Sequence, residues 1–247
     1  MSGIKLIYDG TCTNTANTTC AWTVPAGVFR VTFEVWGGGG GGGVPGTNCN
    51  CCSTGGAASG GGYSKVTVNV TPGTVYQVVA GAAGVSGGFG APISICANGI
   101  TGGTSYVSGT GVPATFCATG GLGGLSDFGT NCYAMCGCNF YTRTPGQGYG
   151  GDTVAQGTWG VVSLFGDQSP YGISNFGGVA GGPGGGSGGF NISGGYCGGH
   201  GCSVTGEGPL HGRVPGGGGA GGSCWSTCQC TPWASGRGGP GMVKITY

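Results

Sequence analysis

Charge is scarce in this chain. Seven basic and six acidic residues occur among 247, 5 % of the total, where ordinary domains carry about 25 %. The net charge of +1 leaves no electrostatic footprint for nucleic acid or an acidic membrane surface. No window approaches the roughly 18 apolar residues of a membrane-spanning helix, so no membrane insertion is expected. Good helix formers are nearly missing, with two Glu, three Lys and three Met. Glycine costs about 1 kcal/mol per residue relative to alanine in a helix and interrupts almost every ten-residue stretch. No amphipathic helical period is present. The opening run Met1 to Asp9 has no basic start followed by a long apolar stretch, so no secretory signal is expected.

Catalytic constellations are missing too. The carboxylates Asp9, Glu34, Asp127, Asp152, Asp167 and Glu207 are scattered, and no spacing demands that two of them pair. Glu34 lies on the polar face of an alternating run and reads as a solvated residue. His200, in Cys197-Gly-Gly-His200-Gly-Cys202, could formally join a thiol nucleophile, but a loop with an exposed imidazole is the simpler reading. His211 has no visible partner. Matches to Gly-x-Gly-x-x-Gly are frequent, as glycine content alone dictates. None follows a strand and opens a helix, and there is no phosphate loop. No enzyme activity and no cofactor is expected.

What is abundant is glycine, 68 residues, with 15 cysteines, 38 % hydrophobic and 10 % aromatic residues. The hydrophobic share argues against disorder. Collagen would need a strict Gly-X-Y period rich in proline, whereas here glycines run together from Gly37 to Gly43 and prolines number 12. Strand signals sit at both ends of the chain. Ile4 to Tyr8 is short and β-rich. Ala21 to Val24 is followed by the turn Pro25-Ala26-Gly27, then by Val28 to Trp36. There Phe29, Val31, Phe33 and Val35 alternate with Arg30, Thr32 and Glu34, the period-2 pattern of a strand with one buried face. Tyr63 to Val70 and Thr74 to Ala80, joined by Thr71-Pro72-Gly73, read as a hairpin. Met242 to Tyr247 is a closing strand, so the two ends of the chain are expected to share a sheet.

These patterns predict one all-β domain over 1–247 with little or no helix. Residues 1–80 and 241–247 form a small sandwich-like core, and 81–240 form a glycine-rich, cysteine-rich insertion. Short strand-like pieces within the insertion are Pro92 to Cys96, Thr104 to Val107 and Thr158 to Phe165. Its glycine runs are interrupted by Phe, Tyr, Trp and Cys rather than by Ser, which argues against a flexible linker. Extended glycine helices have no internal hydrogen bonds, so buried ones must bond their neighbours, and the missing side chain permits that approach. Stacked polyglycine segments are therefore the expected structure.

The cysteines cluster. Cys132-x3-Cys136-x-Cys138 and Cys224-x3-Cys228-x-Cys230 share one spacing, and Cys49-x-Cys51-Cys52 is a third group. Three thiolates and a fourth ligand could hold a tetrahedral zinc, but no Cys-x2-Cys knuckle occurs, and metal binding through Cys132, Cys136, Cys138, Cys224, Cys228 and Cys230 is the weaker reading. Disulfides among these cysteines and Cys49, Cys51, Cys52, Cys12, Cys20, Cys197 and Cys202 are favoured, each contributing about 2–4 kcal/mol. Cys12 with Cys20 and Cys197 with Cys202 could close small loops, although connectivity is not encoded in spacing. An odd total leaves at least one thiol free or shared between subunits. Reduced cysteines acting as small hydrophobes are the remaining alternative. Such a cysteine content suits oxidising surroundings. A protein made in the cytosol and released later, virion proteins freed by lysis being one such class, reconciles that content with the expected lack of a secretory signal, and a trimmed sequence would do so equally well.

Tyr133, Phe140, Tyr141, Tyr149, Trp159, Phe165, Tyr171, Phe176, Phe190, Tyr196, Trp225 and Trp233 lie among glycines. They could anchor a sugar or protein surface or plug gaps between glycine segments. The run Trp22-Thr23-Val24-Pro25-Ala26-Gly27-Val28, the strand ending Val35-Trp36, Gly37 to Gly43, Gly60-Gly61-Gly62-Tyr63-Ser64, the run Val66 to Ala80 and the closing Gly238 to Tyr247 together resemble the glycine-rich domains of bacteriophage virion proteins, especially tail-fibre and adhesin modules. The resemblance implies a β-sandwich-like core bearing packed polyglycine helices that present variable loops. It further implies a non-enzymatic component on the outer surface of a virion, a tail-fibre or adhesin part or a capsid or tail decoration that mediates host attachment. Other virion proteins, a homo-oligomer and a host-surface glycan or protein are the expected partners. The 15 cysteines depart from the family pattern, and no receptor-contacting residue carries over. The rival readings are a secreted matrix or filament subunit, which would polymerise when purified, and an ice-binding protein, which would show thermal hysteresis.

Overall fold

The computed structural model describes residues 3–8, 16–44, 53–87, 97–126, 139–141, 143–165, 172–194, 211–221, 223–224 and 235–247. Among these there is no helix, and two five-stranded antiparallel sheets face one another. The first sheet runs β1 (Ile4–Tyr8), β16 (Met242–Thr246), β3 (Arg30–Trp36), β5 (Tyr63–Asn69), β11 (Thr153–Ala155). The second runs β10 (Gly148–Tyr149), β8 (Cys117–Ala118), β7 (Ser105–Ser108), β6 (Val75–Ala80), β2 (Thr18–Thr23). As the terminal patterns predict, β1 pairs with β16, with Leu6 opposite Lys244.

Alternation explains the interior. Val31, Phe33 and Val35 of β3, Val66 and Val68 of β5, and Val243 and Ile245 of β16 point inward to meet Trp22, Tyr76, Val78, Val107 and Phe116. Phe33, Val35 and Val78 are completely shielded. Each such side chain contributes roughly 1.5–3 kcal/mol by leaving water. Phe33 packs edge-on to Trp22 at 6.0 Å and lies 5.3 Å from the Tyr76 ring. Phe29 departs from the expected alternation. It precedes β3 and is exposed, while its carbonyl accepts a bond from Val70 N at 2.9 Å.

Thr71-Pro72-Gly73 forms a turn but closes no hairpin. Thr74 N bonds Thr71 O at 3.1 Å and Gly73 has φ of +85°, the type II geometry that proline and glycine favour at these positions. Yet β5 lies in the first sheet and β6 in the second. Val66 and Val68 face Tyr76 and Val78 across the interior, so the two apolar faces meet each other and the turn carries the chain from sheet to sheet. Pro25-Ala26-Gly27 does the same between β2 and β3, with Gly27 at φ +81°.

Glycine segments continue from the sandwich as a bundle. A polyglycine helix has three residues per turn, so its amides point to three neighbours in rotation. Gly37, Gly40 and Gly43 donate to Gly62, Ser59 and Gly56; Gly38 and Gly41 to Gly103 and Ile100; Gly39 and Gly42 to Gly239 and Gly236. These three neighbours run antiparallel to the central segment. Its carbonyls accept from three others. Gly121 and Gly124 bond Gly38 and Gly41, Gly84 and Gly87 bond Gly39 and Gly42, and Gly219 bonds Gly40. Gly37–Gly43 is thus surrounded by six segments and has no room for side chains. A methyl at Gly40 would overlap the carbonyl of Leu122, and one at Gly42 that of Ala220.

The two regions are interleaved along the chain. Segments 37–43 and 55–62 lie in the bundle although they precede residue 80, while β7, β8, β10 and β11 join the sheets although they follow it. The division at residues 80 and 241 drawn from composition is therefore not the one the backbone follows. Of the strand-like pieces expected in the middle, β7 covers Ser105–Ser108 and β12 covers Val161–Phe165, whereas 92–96 lies outside the described residues. A four-stranded sheet, β14 (Phe190–Gly194), β13 (Gly172–Phe176), β12, β9 (Asn139–Tyr141), and a two-residue ladder of β15 (Ser223–Cys224) with β4 (Ser53–Thr54) complete the fold.

Candidate functional site

The bundle has two ends with different chemistry. At the sandwich end a polar and aromatic joint fixes it in place. Ser105 Oγ donates to Trp36 O at 2.6 Å and accepts from Gly81 N at 2.8 Å. Trp36 and Tyr63 pack with ring centroids 4.9 Å apart, and Ala180 covers them. Gly182, at φ +75°, lies against the Tyr63 ring where a side chain would collide. Tyr63 Oη donates to Glu34 Oε1 at 2.8 Å, and Lys244 Nζ stands 2.9 Å from Glu34 Oε2.

Glu34 is therefore not the solvated residue its strand position suggests; it is 8 % exposed. The outer face of the first sheet is covered here by the chain around Ala180, far along the sequence. Burial pushes the Glu34 carboxyl up. The bonds from Lys244 and Tyr63 and the charges of Lys244 and Lys65 outweigh it and hold the group below its ordinary value. Burial first, then the bond and charge of Glu34, push the Tyr63 hydroxyl well up. The joint keeps a carboxylate, not a carboxylic acid, at neutral pH.

At the far end the bundle finishes in one layer around Gly42 to Val44. Val44 bridges Ala97, Gly43 N bonds Gly56 O at 3.0 Å, and Gly56 N bonds Leu125 O at 2.8 Å. Gly87 N bonds Gly42 O at 3.0 Å, and the buried Ser235 Oγ donates to the same carbonyl at 2.9 Å. Ser126 N bonds Asn98 Oδ1 at 2.7 Å, and Ser223 pairs with Thr54. Val44, Ser53, Gly87, Ala97, Ser126, Cys224 and Ser235, seven of the eight residues that border 45–52, 88–96, 127–138 and 225–234, thus share one layer, while the eighth, Asn139, stands in β9 opposite Ser163. Seven residues at about 3.1 Å each set that layer roughly 20 Å from the sandwich. The site is a rigid platform of chain exits, and rigid scaffolds are where recognition loops are carried.

Most sulfur lies in or beside those segments. Cys49, Cys51, Cys52, Cys132, Cys136, Cys138, Cys228 and Cys230, together with Cys12, Cys197 and Cys202, fall outside the described residues, as do both candidate zinc clusters apart from the backbone of Cys224. Cys224 stands in β15 opposite Ser53, so backbone pairing sets the start of the Cys224 cluster beside the residue that follows Cys52. Cys20 lies within the described residues. Its thiol is free among the described residues and half-buried against the sandwich core, while Cys12, its suggested partner, lies outside the described residues. On β2 this side chain lies on the same face as Trp22, where it packs as a small hydrophobe. Cys117 is also free, and burial pushes its thiol up.

The remaining candidates disperse. Asp152 Oδ2 accepts from Thr67 N at 3.0 Å and His211 Nδ1 from Arg237 N at 3.0 Å, both structural bonds. Asp9, Asp127, Asp167, Glu207 and His200 lie outside the described residues. Of the aromatic residues noted among glycines, Tyr149, Trp159 and Phe176 are partly exposed along the flank of the molecule. Among the described residues no three His, Cys, Asp or Glu side chains converge as a metal site, and no helix is long and apolar enough to cross a membrane. Glu34 was the residue sequence reasoning missed. Its only trace is the repeat of Lys at positions opposite it, Lys65 and Lys244.

A β-sandwich joined to a hydrogen-bonded glycine bundle is the class of fold these residues define. The model of the glycine-rich domain matches residues 13–247, and the chain belongs to that family. None of the curated proteins matches it.

Proposed function

We propose that this is a non-enzymatic bacteriophage virion protein, exposed on the outer surface of the particle as a tail-fibre or adhesin component or a decoration. The sandwich serves as its attachment base. The bundle is a stiff spacer, and the segments leaving its far layer contact a host-surface glycan or protein. One observation carries this reading: four chain segments border a single layer, about 20 Å from the base, held by a bundle in which every amide from Gly37 to Gly43 and every carbonyl from Gly38 to Gly42 has a partner. Flexible spacers pay the entropy of ordering on contact, and a preformed platform avoids that cost. The resemblance to virion glycine-rich modules supports the choice of particle.

A clean deletion tests it. Particles lacking the chain should keep their genome but adsorb poorly, and the purified protein should block adsorption of wild-type particles. Normal adsorption without the chain overturns the reading.

A further inference from the structure

Strand β1 is an edge of the first sheet, and its free side is unusually well suited to pairing with itself. Gly3 and Tyr247 exchange both backbone bonds. Alternation in an antiparallel ladder then turns Lys5 and Ile7 toward β16, and Ile4, Leu6 and Tyr8 toward the open side. Those same three side chains are exposed, at 65 %, 51 % and 42 %, on the outer face of the sheet, while Ile7 is buried in the core. An exposed apolar edge of this kind is normally blunted by charge, proline or a bulge. On the opposite flank Asp152 does this for β5, accepting from Thr67 N beyond the end of its ladder with β11. No comparable cap covers β1 among the described residues.

We propose that β1 is a dimerisation edge, pairing antiparallel with β1 of a second copy about a twofold axis through Leu6. In this register Leu6 faces the partner's Leu6 and Ile4 faces the partner's Tyr8. All three outward residues of each copy exchange bonds, and aromatic and β-branched side chains meet across the strands. Lys5 faces the partner's Ile7. A register shifted toward the N-terminus would set the two Lys5 side chains directly opposite each other, and a shift either way would waste one outward pair, so charge and hydrogen bonding select the same alignment. The second sheet ends on the same flank at β2, so the axis also brings the two β2 edges together. A stable pair buries roughly 1,200 Å², more than a five-residue ladder alone, so the β2 edges must supply the rest of the contact. A twofold contact uses one patch on both copies and closes at two, so it makes a dimer and not a filament. This inference is independent of any host contact at the far layer.

The test is the mass of the full chain in solution, by sedimentation across a concentration series, with two variants. Leu6→Pro removes an outward amide and spares the ladder to β16; Leu6→Lys puts like charges face to face. Wild type should reach twice the chain mass, and both variants should weaken association by at least about tenfold while keeping the wild-type circular dichroism. Hydrogen exchange on the wild type needs no variant: the amides of Leu6 and Tyr8 should slow as the dimer forms. A chain that stays single at all concentrations overturns the proposal. So does a dimer that survives Leu6→Lys, or one in which those amides exchange freely.

Discussion

The sandwich and the bundle are made from one chain by opposite means. The sandwich interior is filled with Val, Ile, Phe, Tyr and Trp side chains, and its strands are held by burial. The bundle interior has almost no side chains, and its central segment is held by backbone bonds to six neighbours. Ordering glycine costs more conformational entropy than ordering any other residue, so the bundle depends on completeness: each orphaned amide would remove its only compensation. The two regions should therefore respond to substitution in opposite ways. One is damaged by making residues smaller, the other by making them larger.

The largest effect is expected from the smallest change. Gly40→Ala adds a methyl against the backbone of Leu122, which no rotamer change relieves. It should prevent folding of the bundle or cost about 4 kcal/mol or more, measured by thermal or chemical unfolding. A near-neutral result would break the comparison. Phe33→Ala, in the sandwich, should cost about 3–5 kcal/mol. A bundle that melts together with the sandwich in this variant would show that the two regions unfold as a unit.

Glu34→Gln probes the joint. It should cost about 1–2 kcal/mol at pH 7, less than a fully buried ionic bond because Lys244 is one-third exposed. The folded carboxyl titrates below its unfolded value, so its contribution is complete above the unfolded value of about 4.3. It disappears as pH falls through the folded value. Wild-type unfolding temperature should consequently drop more steeply below pH 4.5 than that of Glu34→Gln; parallel curves would remove Glu34 from the joint. Gly73→Ala should be the mildest. Nothing lies within 4 Å of the added methyl, and only the left-handed φ of +85° is penalised, by about 1 kcal/mol.

What could be read from the residues follows the same divide. In the sandwich, side chains carry the pattern: Val31, Phe33 and Val35 announce a strand and its buried face, and Pro72-Gly73 announces a turn. What that turn connects was not legible, since a turn between two one-sided strands looks the same whether it closes a hairpin or crosses between sheets. In the bundle, composition announces close backbone packing, but Gly40 is indistinguishable from Gly41 as a letter, so which neighbour each amide meets is invisible. Glu34 was misread because its cover, Ala180, lies far away in sequence and has no side-chain pattern of its own. The chain exits at the far layer could be found only once Val44, Ala97, Leu125 and Ser235 had been placed beside one another.

Amide hydrogen exchange at Gly37 to Gly43 and Gly55 to Gly62, read by NMR against β3 and β5 in the same sample, tests the central claim most directly. Bundle amides protected to the same degree as Phe33 and Val66 would mean that the glycine segments are a folded, hydrogen-bonded solid continuous with the sandwich. Glycine amides exchanging at the rate of a free peptide, while the strands stay protected, would contradict it.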